Sequence, residues 1–249
     1  MSTTSKVAAV TASFWVIKIA ATTLGETAGD LLAQTLKVGY GVSTAVLFSF
    51  FLVFLTFQLL AKTFRPWLYW MVILATSTAG TTMSDFMDRT LELGYTKGAL
   101  ILVCALLGVL ATWRLVEKSL SVSDISTRRA EVFYWIAILV SNTLGTAAGD
   151  FLADDLEWGF LMSAGVIGGI LLVVMLLHRY TSLSKVGLFW IAFVLTRPFG
   201  ATFGDLLWKP HEKGGMGLGT VGASLVIGVI MTVAIIWVGR VERRRPEAA

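Results

Sequence analysis

Apolar residues run along the chain in long stretches, and the polar positions are gathered between them. The stretches 42–61, 98–113, 160–177 and 218–239 carry no charged residue. Each approaches or reaches the roughly 20 residues that a bilayer-spanning helix needs. Four more apolar segments alternate with these and hold embedded polar groups. Together the pattern predicts helices at 8–32, 41–61, 66–87, 95–114, 130–153, 159–178, 185–207 and 217–240. The expected fold class is an all-α polytopic membrane protein. Residues 1–249 would form a single transmembrane domain of eight spans.

The embedded polar groups repeat. Residues 23–30 read TLGETAGD, 78–85 TAGTTMSD, 143–150 TLGTAAGD and 198–205 PFGATFGD. A Trp stands fifteen positions before each Asp: Trp15 and Asp30, Trp70 and Asp85, Trp135 and Asp150, Trp190 and Asp205. Gly25, Gly80, Gly145 and Gly200 each stand five before it, and Gly39, Gly94 and Gly159 follow nine after it. The fourth unit reaches Gly217 only after an insertion around Pro210–Lys213. The repeats therefore cover 8–61, 66–114, 130–178 and 185–240. The longest connection, Val116 to Glu131, separates two halves of two units each. A unit that crosses twice returns to its starting side. Four such units point the same way and should be related by an axis along the membrane normal.

On a helix, Thr22, Gly25, Glu26, Gly29 and Asp30 share one face. The matching faces are Ser77, Gly80, Thr81, Ser84, Asp85, then Asn142, Gly145, Thr146, Gly149, Asp150, then Arg197, Gly200, Ala201, Gly204, Asp205. Small residues let helices approach closely in lipid. The odd-numbered helices are thus expected inside, packed through these glycines, and the even-numbered ones outside. The four Trp residues read as anchors at the membrane interface. Fifteen residues place each Asp roughly 22 Å above its Trp, in the outer third of the hydrocarbon core. Charged groups at that depth should face the interior or a water-filled cavity. A Gly-rich face also allows a break near the Asp.

Single residues add detail. Lys18 is expected to snorkel toward the N-terminal side. Arg197 precedes Pro198, which should kink its helix, and needs a carboxylate. The extra base belongs to unit four alone and the extra acid, Glu26, to unit one alone. These units become neighbours if the four close into a ring, so Glu26 is the expected partner, with Asp150 or Asp30 as alternatives. Cys104 has no disulfide partner and reads as a small buried hydrophobe. His178 and His211 fall in expected loops.

Composition agrees with the pattern. Hydrophobic residues make up 56% and charged residues 14%, whereas soluble domains are about a quarter charged. Thirteen Lys and Arg flank the helix ends on the N-terminal side: Lys6, Lys62, Arg65, Arg114, Lys118, Arg128, Arg129, Arg179, Lys185, Arg240, Arg243, Arg244 and Arg245. Five lie opposite: Lys37, Arg89, Lys97, Lys209 and Lys213. That asymmetry expects both termini in the cytoplasm, with the tail 240–245 touching anionic lipid. No cleavable signal is expected, because the first apolar segment carries the repeat itself.

The tandem two-helix units with their fixed Trp resemble a family of bacterial integral membrane proteins built from a repeat of unknown function. The resemblance covers nearly the whole chain and implies a multi-pass protein of the bacterial inner membrane. Glu26-Thr27-Ala28-Gly29-Asp30 is also similar to the E-x-G-D signature of manganese and calcium exchangers, with one extra residue before the Gly and no basic residue after the Asp.

Three functions fit. Glu26, Asp30, Asp85, Asp150 and Asp205 are hard oxygen donors, joined by Thr22, Ser77, Ser84, Asn142 and, as a charged neighbour, Arg197. Such a set suits Mn²⁺ or a similar divalent cation, carried as substrate rather than cofactor, with protons competing for the same oxygens. Those faces hold no Cys or His, which disfavours softer metals. The alternatives are a carrier or binder of small organic cations, held by carboxylates and aromatic faces, and a structural or partner-binding membrane protein. An enzyme is the least expected class, since no Walker loop, zinc-protease helix or Ser-His-Asp arrangement is present. The partners implied are the lipid bilayer and a small ion or molecule, not nucleic acid.

Overall fold

The computed structural model describes residues 7–244, without the side chains of Asp124 and 241–244. Lys6 and Arg245, and the side chains of Arg243 and Arg244, all counted above for orientation, lie outside the described parts. The described residues form eight long α-helices and no strand: α1 (Ala12–Asp30), α2 (Tyr40–Leu60), α3 (Pro66–Asp85), α4 (Tyr95–Glu117), α5 (Arg128–Asp150), α6 (Gly159–Tyr180), α7 (Lys185–Trp208) and α8 (Gly219–Arg244). Several starts follow from local chemistry. The hydroxyls of Thr11, Thr127 and Ser184 accept from Phe14, Ala130 and Gly187 amides at 3.3, 3.0 and 3.2 Å, as N-caps do. Pro66 opens α3, where its missing N–H costs nothing.

The break expected near the Asp takes a definite form in three units. A π-helical turn follows each Asp directly, at Leu31–Thr35, Phe86–Thr90 and Phe151–Asp155. Lys37, Glu92 and Glu157 then adopt positive φ, and Gly39, Gly94 and Gly159 follow at φ 82°, 72° and 69°. Only Gly enters that region without strain, which explains the Gly nine residues after the Asp. In unit four α7 continues past Asp205 to Trp208, and it runs through Pro198 without a break.

α1 packs against α3 and α7, α3 against α5, and α5 against α7, so the odd-numbered helices close a four-membered ring. The even-numbered helices lie outside. α2 packs on α3, α4 on α5, α6 on α7 and α8 on α1. Each outer helix thus covers the inner helix of the next repeat, and the last covers the first. Six helices are long and apolar enough to cross a membrane. α1 and α3 fall short of that measure. They belong to the ring and carry Lys18, Glu26 and a run of Thr and Ser on its buried side.

Four expectations need correction. Trp70, Trp135 and Trp190 are buried, and Trp15 is half-buried. Their rings turn into the protein rather than outward, and they fill the ring where its helices begin. Phe14 meets Trp70 with ring centroids 5.5 Å apart, and Trp113 from α4 meets Trp190 edge-on at 5.6 Å. Polar tips find partners inside: the Tyr69 and Tyr134 hydroxyls lie 2.5 Å apart, and Trp190 Nε1 donates to the Leu120 carbonyl at 3.0 Å. Lys18 does not snorkel. It stands four residues before Thr22 and eight before Glu26, on the stripe facing the ring axis, and is 0% exposed. Its Nζ donates to Asn142 Oδ1 at 3.3 Å and lies 4.1 Å over the Phe193 ring. Cys104 is exposed on the outward side of α4, not buried. His178 lies in the last turn of α6 rather than in a loop.

Candidate functional site

The ring seams repeat one contact. Gly25 faces Ser77, Gly80 faces Asn142, Gly145 faces Arg197 and Gly200 faces Thr22. In each case a Gly receives the residue three positions before the Gly of the next unit. One turn on, Gly29 faces Thr81, Gly149 faces Ala201 and Gly204 faces Glu26. A methyl group at Gly25, Gly145 or Gly200 would overlap its neighbour outright. The small residues therefore set how close the four helices come, and they hold them parallel and in register.

That register places Thr22, Ser77, Asn142 and Arg197 at one level. Thr22 Oγ1 donates to carbonyls, including Thr196 at 3.1 Å across the α1–α7 seam. Asn142 links Lys18 to Thr76, donating through Nδ2 at 2.9 Å. Among the described residues Ser77 Oγ is buried with no hydrogen-bond partner. Arg197 reaches the axis and ties all four helices. Its Nη2 donates to Glu26 Oε2 at 2.9 Å, Thr81 Oγ1 at 2.5 Å and Thr146 Oγ1 at 2.7 Å, and its Nη1 to the Thr22 carbonyl at 3.5 Å. The expected Arg197–Glu26 pair is present, with both side chains buried. An ionised pair held off water needs further hydrogen bonds to its remaining hydrogens and lone pairs. Thr81 and Thr146 donate to the same Glu26 oxygen at 3.3 and 3.4 Å, whereas Arg197 Nε is buried with no hydrogen-bond partner among the described residues.

Above this level lie Asp30, Asp85, Asp150 and Asp205, all buried. Oxygens of Glu26, Asp30 and Asp205 come within 4.8 Å of one another. Two oxygens on opposite sides of a cation bound at about 2.4 Å lie about 4.8 Å apart, so this triad has the span of a hard-cation site. Asp85 and Asp150 stand across from it and are bridged by Arg89, whose Nε donates to Asp85 Oδ1 at 2.8 Å and Nη2 to Asp150 Oδ2 at 3.3 Å. Asp205 accepts from Lys209 Nζ at 2.8 Å and Trp208 Nε1 at 2.9 Å. Asp30 accepts from Gln34 Nε2 at 2.6 Å.

Gln34, Arg89 and Lys209 are the functional residues that sequence reading missed. The signal was available: each stands four residues after its Asp, one turn up the same face, and the fourth such position is Asp154. All four line a cavity of about 350 Å³ with Trp208, Phe160 and Lys213, a vestibule at the end of the ring beyond the Asp level. Ser84, taken above as a candidate donor, instead donates to Asp88 Oδ2 at 3.1 Å. Thr22, Ser77 and Asn142 serve the seams below the carboxylates. The structure thus brings together five acids and separates them from the neutral candidates.

When all are ionised, the five carboxylates face three basic partners, Arg197, Arg89 and Lys209. Two negative charges remain, which one divalent cation would neutralise. Lys18 lies two turns below Glu26, toward the aromatic cluster, and contacts none of these acids in the hydrogen bonds and ion pairs of the described residues.

A family model described as a Repeat of Unknown Function (DUF347) matches the chain four times, at residues 13–64, 68–119, 133–183 and 188–244. No curated protein and no solved structure matches the chain.

Proposed function

The chain belongs to the family of this Repeat of Unknown Function, and we propose that it is a membrane carrier for a hard divalent cation, Mn²⁺ or one of similar chemistry. In this reading all eight helices span a bacterial inner membrane, with both termini cytoplasmic and the four repeats related by an axis along the membrane normal. The support for eight spans is the ring itself: α1 and α3 pack in register with α5 and α7, which are apolar enough to cross. Their polar residues turn inward, where intramembrane polar groups are tolerated.

One observation carries the functional reading: three buried carboxylates, Glu26, Asp30 and Asp205, lie within 4.8 Å under an open vestibule. Around them, acids outnumber bases by two. Arg89 and Lys209 act as tethered cations that hold Asp85, Asp150 and Asp205 until a free cation replaces them. Protons would compete for the same oxygens, so proton exchange is the natural coupling. At the other end the aromatic cluster blocks the axis, as a closed inner gate would.

The test is uptake or release of ⁵⁴Mn²⁺ in proteoliposomes. Asp150→Asn should abolish the flux, because Asp150 anchors Arg89 opposite the triad and holds charge at the site. Unchanged flux in that variant would sink the proposal.

A second reading takes support from the vestibule. Lys209 Nζ lies 4.2 Å over the Phe160 ring, so the same ring could hold a small organic ammonium. Thermal stabilisation of the purified protein across metal salts and amines separates the two, since each reading predicts a shift with its own ligand class alone.

A further inference from the structure

The outer helices carry one position that reaches across the ring in the first two units. It stands nineteen residues after the Gly that opens the outer helix: Gln58 after Gly39, Trp113 after Gly94, His178 after Gly159. Gln58 is buried and donates to Glu131 of α5 at 3.1 Å. Trp113 is buried against Tyr134 of α5 and Trp190 of α7. His178 is exposed. The seam it would fill, between α6, α7, α1 and the connection at residues 120–123, is open instead. It holds a groove of about 740 Å³, within the size range of ligand sites.

The groove has a definite polarity. Its walls are apolar, and Val16, Leu172 and Met175 along it are exposed. Among the described residues that line it, the ionisable ones are His178 and Lys185, both at the end where α7 begins; Thr11, Ser121 and Ser123 supply hydroxyls. Along α7 it runs from Lys185 to Thr196. Eleven residues span roughly 16 Å, close to half of a hydrocarbon core about 30 Å thick. The depth is that of one leaflet.

We propose that this groove is a specific lipid site, seating one acyl chain of an anionic phospholipid with its phosphate at His178 and Lys185. The charge of the rim selects the headgroup, since a basic side chain at the membrane surface attracts anionic lipid. The length of the slot selects a single chain of the leaflet on the N-terminal side. This rests on the membrane-spanning part of the reading above and is independent of cation transport.

The experiment adds dioleoyl phosphatidylglycerol or dioleoyl phosphatidylcholine to detergent-solubilised full-length protein, read by native mass spectrometry and thermal midpoint. Phosphatidylglycerol should bind the wild type more tightly and raise its midpoint further. Lys185→Ala should lower its apparent affinity about fivefold, and adding His178→Ala should erase the preference over phosphatidylcholine. Val16→Trp, on the exposed groove wall, should weaken both lipids. Glycerol phosphate alone should produce no shift. Equal affinity for the two lipids would overturn the proposal, as would a wild-type preference kept in the double variant or a full shift from glycerol phosphate. Mn²⁺ titration of Lys185→Ala gives the separation from transport: loss of cation binding belongs to the carboxylate site and leaves these lipid outcomes as they are.

Discussion

Arg197 illustrates how much one side chain can decide. It is 0% exposed and donates to groups on the other three ring helices, α1, α3 and α5. Among the described residues its charge is answered by Glu26 alone, at 2.9 Å. Removing one member of a buried pair strands the other, at a cost of about 3–5 kcal/mol. Arg197→Ala should therefore lower stability markedly, and Glu26→Gln in the same chain should recover part of the loss. Denaturation of the two single variants and the double variant measures the coupling. Strictly additive losses would mean that the pair contributes nothing beyond its separate contacts. Lys18 shows the opposite case. Position on the axial stripe, not chemical preference, keeps it buried, with an amide oxygen and an aromatic face in place of a carboxylate.

Among the helices, the seams of the ring turn on glycine. A Cβ at Gly200 would overlap Thr22, whereas one at Gly108 on α4 meets nothing within 4 Å. Gly200→Ala must push α7 from α1 and should cost about 1–3 kcal/mol, the usual penalty for overpacking. Gly108→Ala should change stability by no more than about 1 kcal/mol, and in the favourable direction, because Ala is the better helix former. Thermal denaturation of both variants in one detergent gives the comparison; equal losses would show that close approach at the seam does not matter. The same logic accounts for the turns after the Asp. Three units spend a π-helical turn and a positive-φ Gly to redirect the chain, and unit four replaces them with the insertion at 210–213 and Gly217 at φ 74°.

At the scale of the whole molecule, the parallel ring puts unlike chemistry at its two ends. Aromatic side chains close the end where the odd helices begin, and carboxylates under a vestibule occupy the other. In the proposed orientation, with both termini inside, the vestibule would face outward. Single cysteines in a Cys104→Ser background test this. A cysteine beside Asp154 should react with an impermeant maleimide added from outside, and one beside Ser123 should not. The reverse labelling would invert the topology and with it the direction in which the site opens.

The periodicity of the chain determined a great deal. Fixed spacings from Trp to Gly to Asp forced four like helices, and small residues on the Asp face made that face the packing face. The unique base in unit four and unique acid in unit one already implied a partnership. A fixed repeat states which residues share a face and a height, and these are local properties. What lies beyond a face depends on distant segments. The Trp residues looked like interface anchors because a Trp near a helix end is amphipathic; only the closed ring, with Trp113 and Tyr134 brought to Trp190, offered them an interior. Lys18 could reach water along an isolated helix, but Phe193 from α7 covers it. The bonds of Arg89 to Asp85 and of Lys209 to Asp205 span four residues and were readable from the spacing, but the reach of Arg89 to Asp150 needed α3 beside α5. The open groove beside His178 likewise depends on which outer helix covers which inner one. Contacts between residues far apart in sequence decided these last features, and no local pattern encodes them.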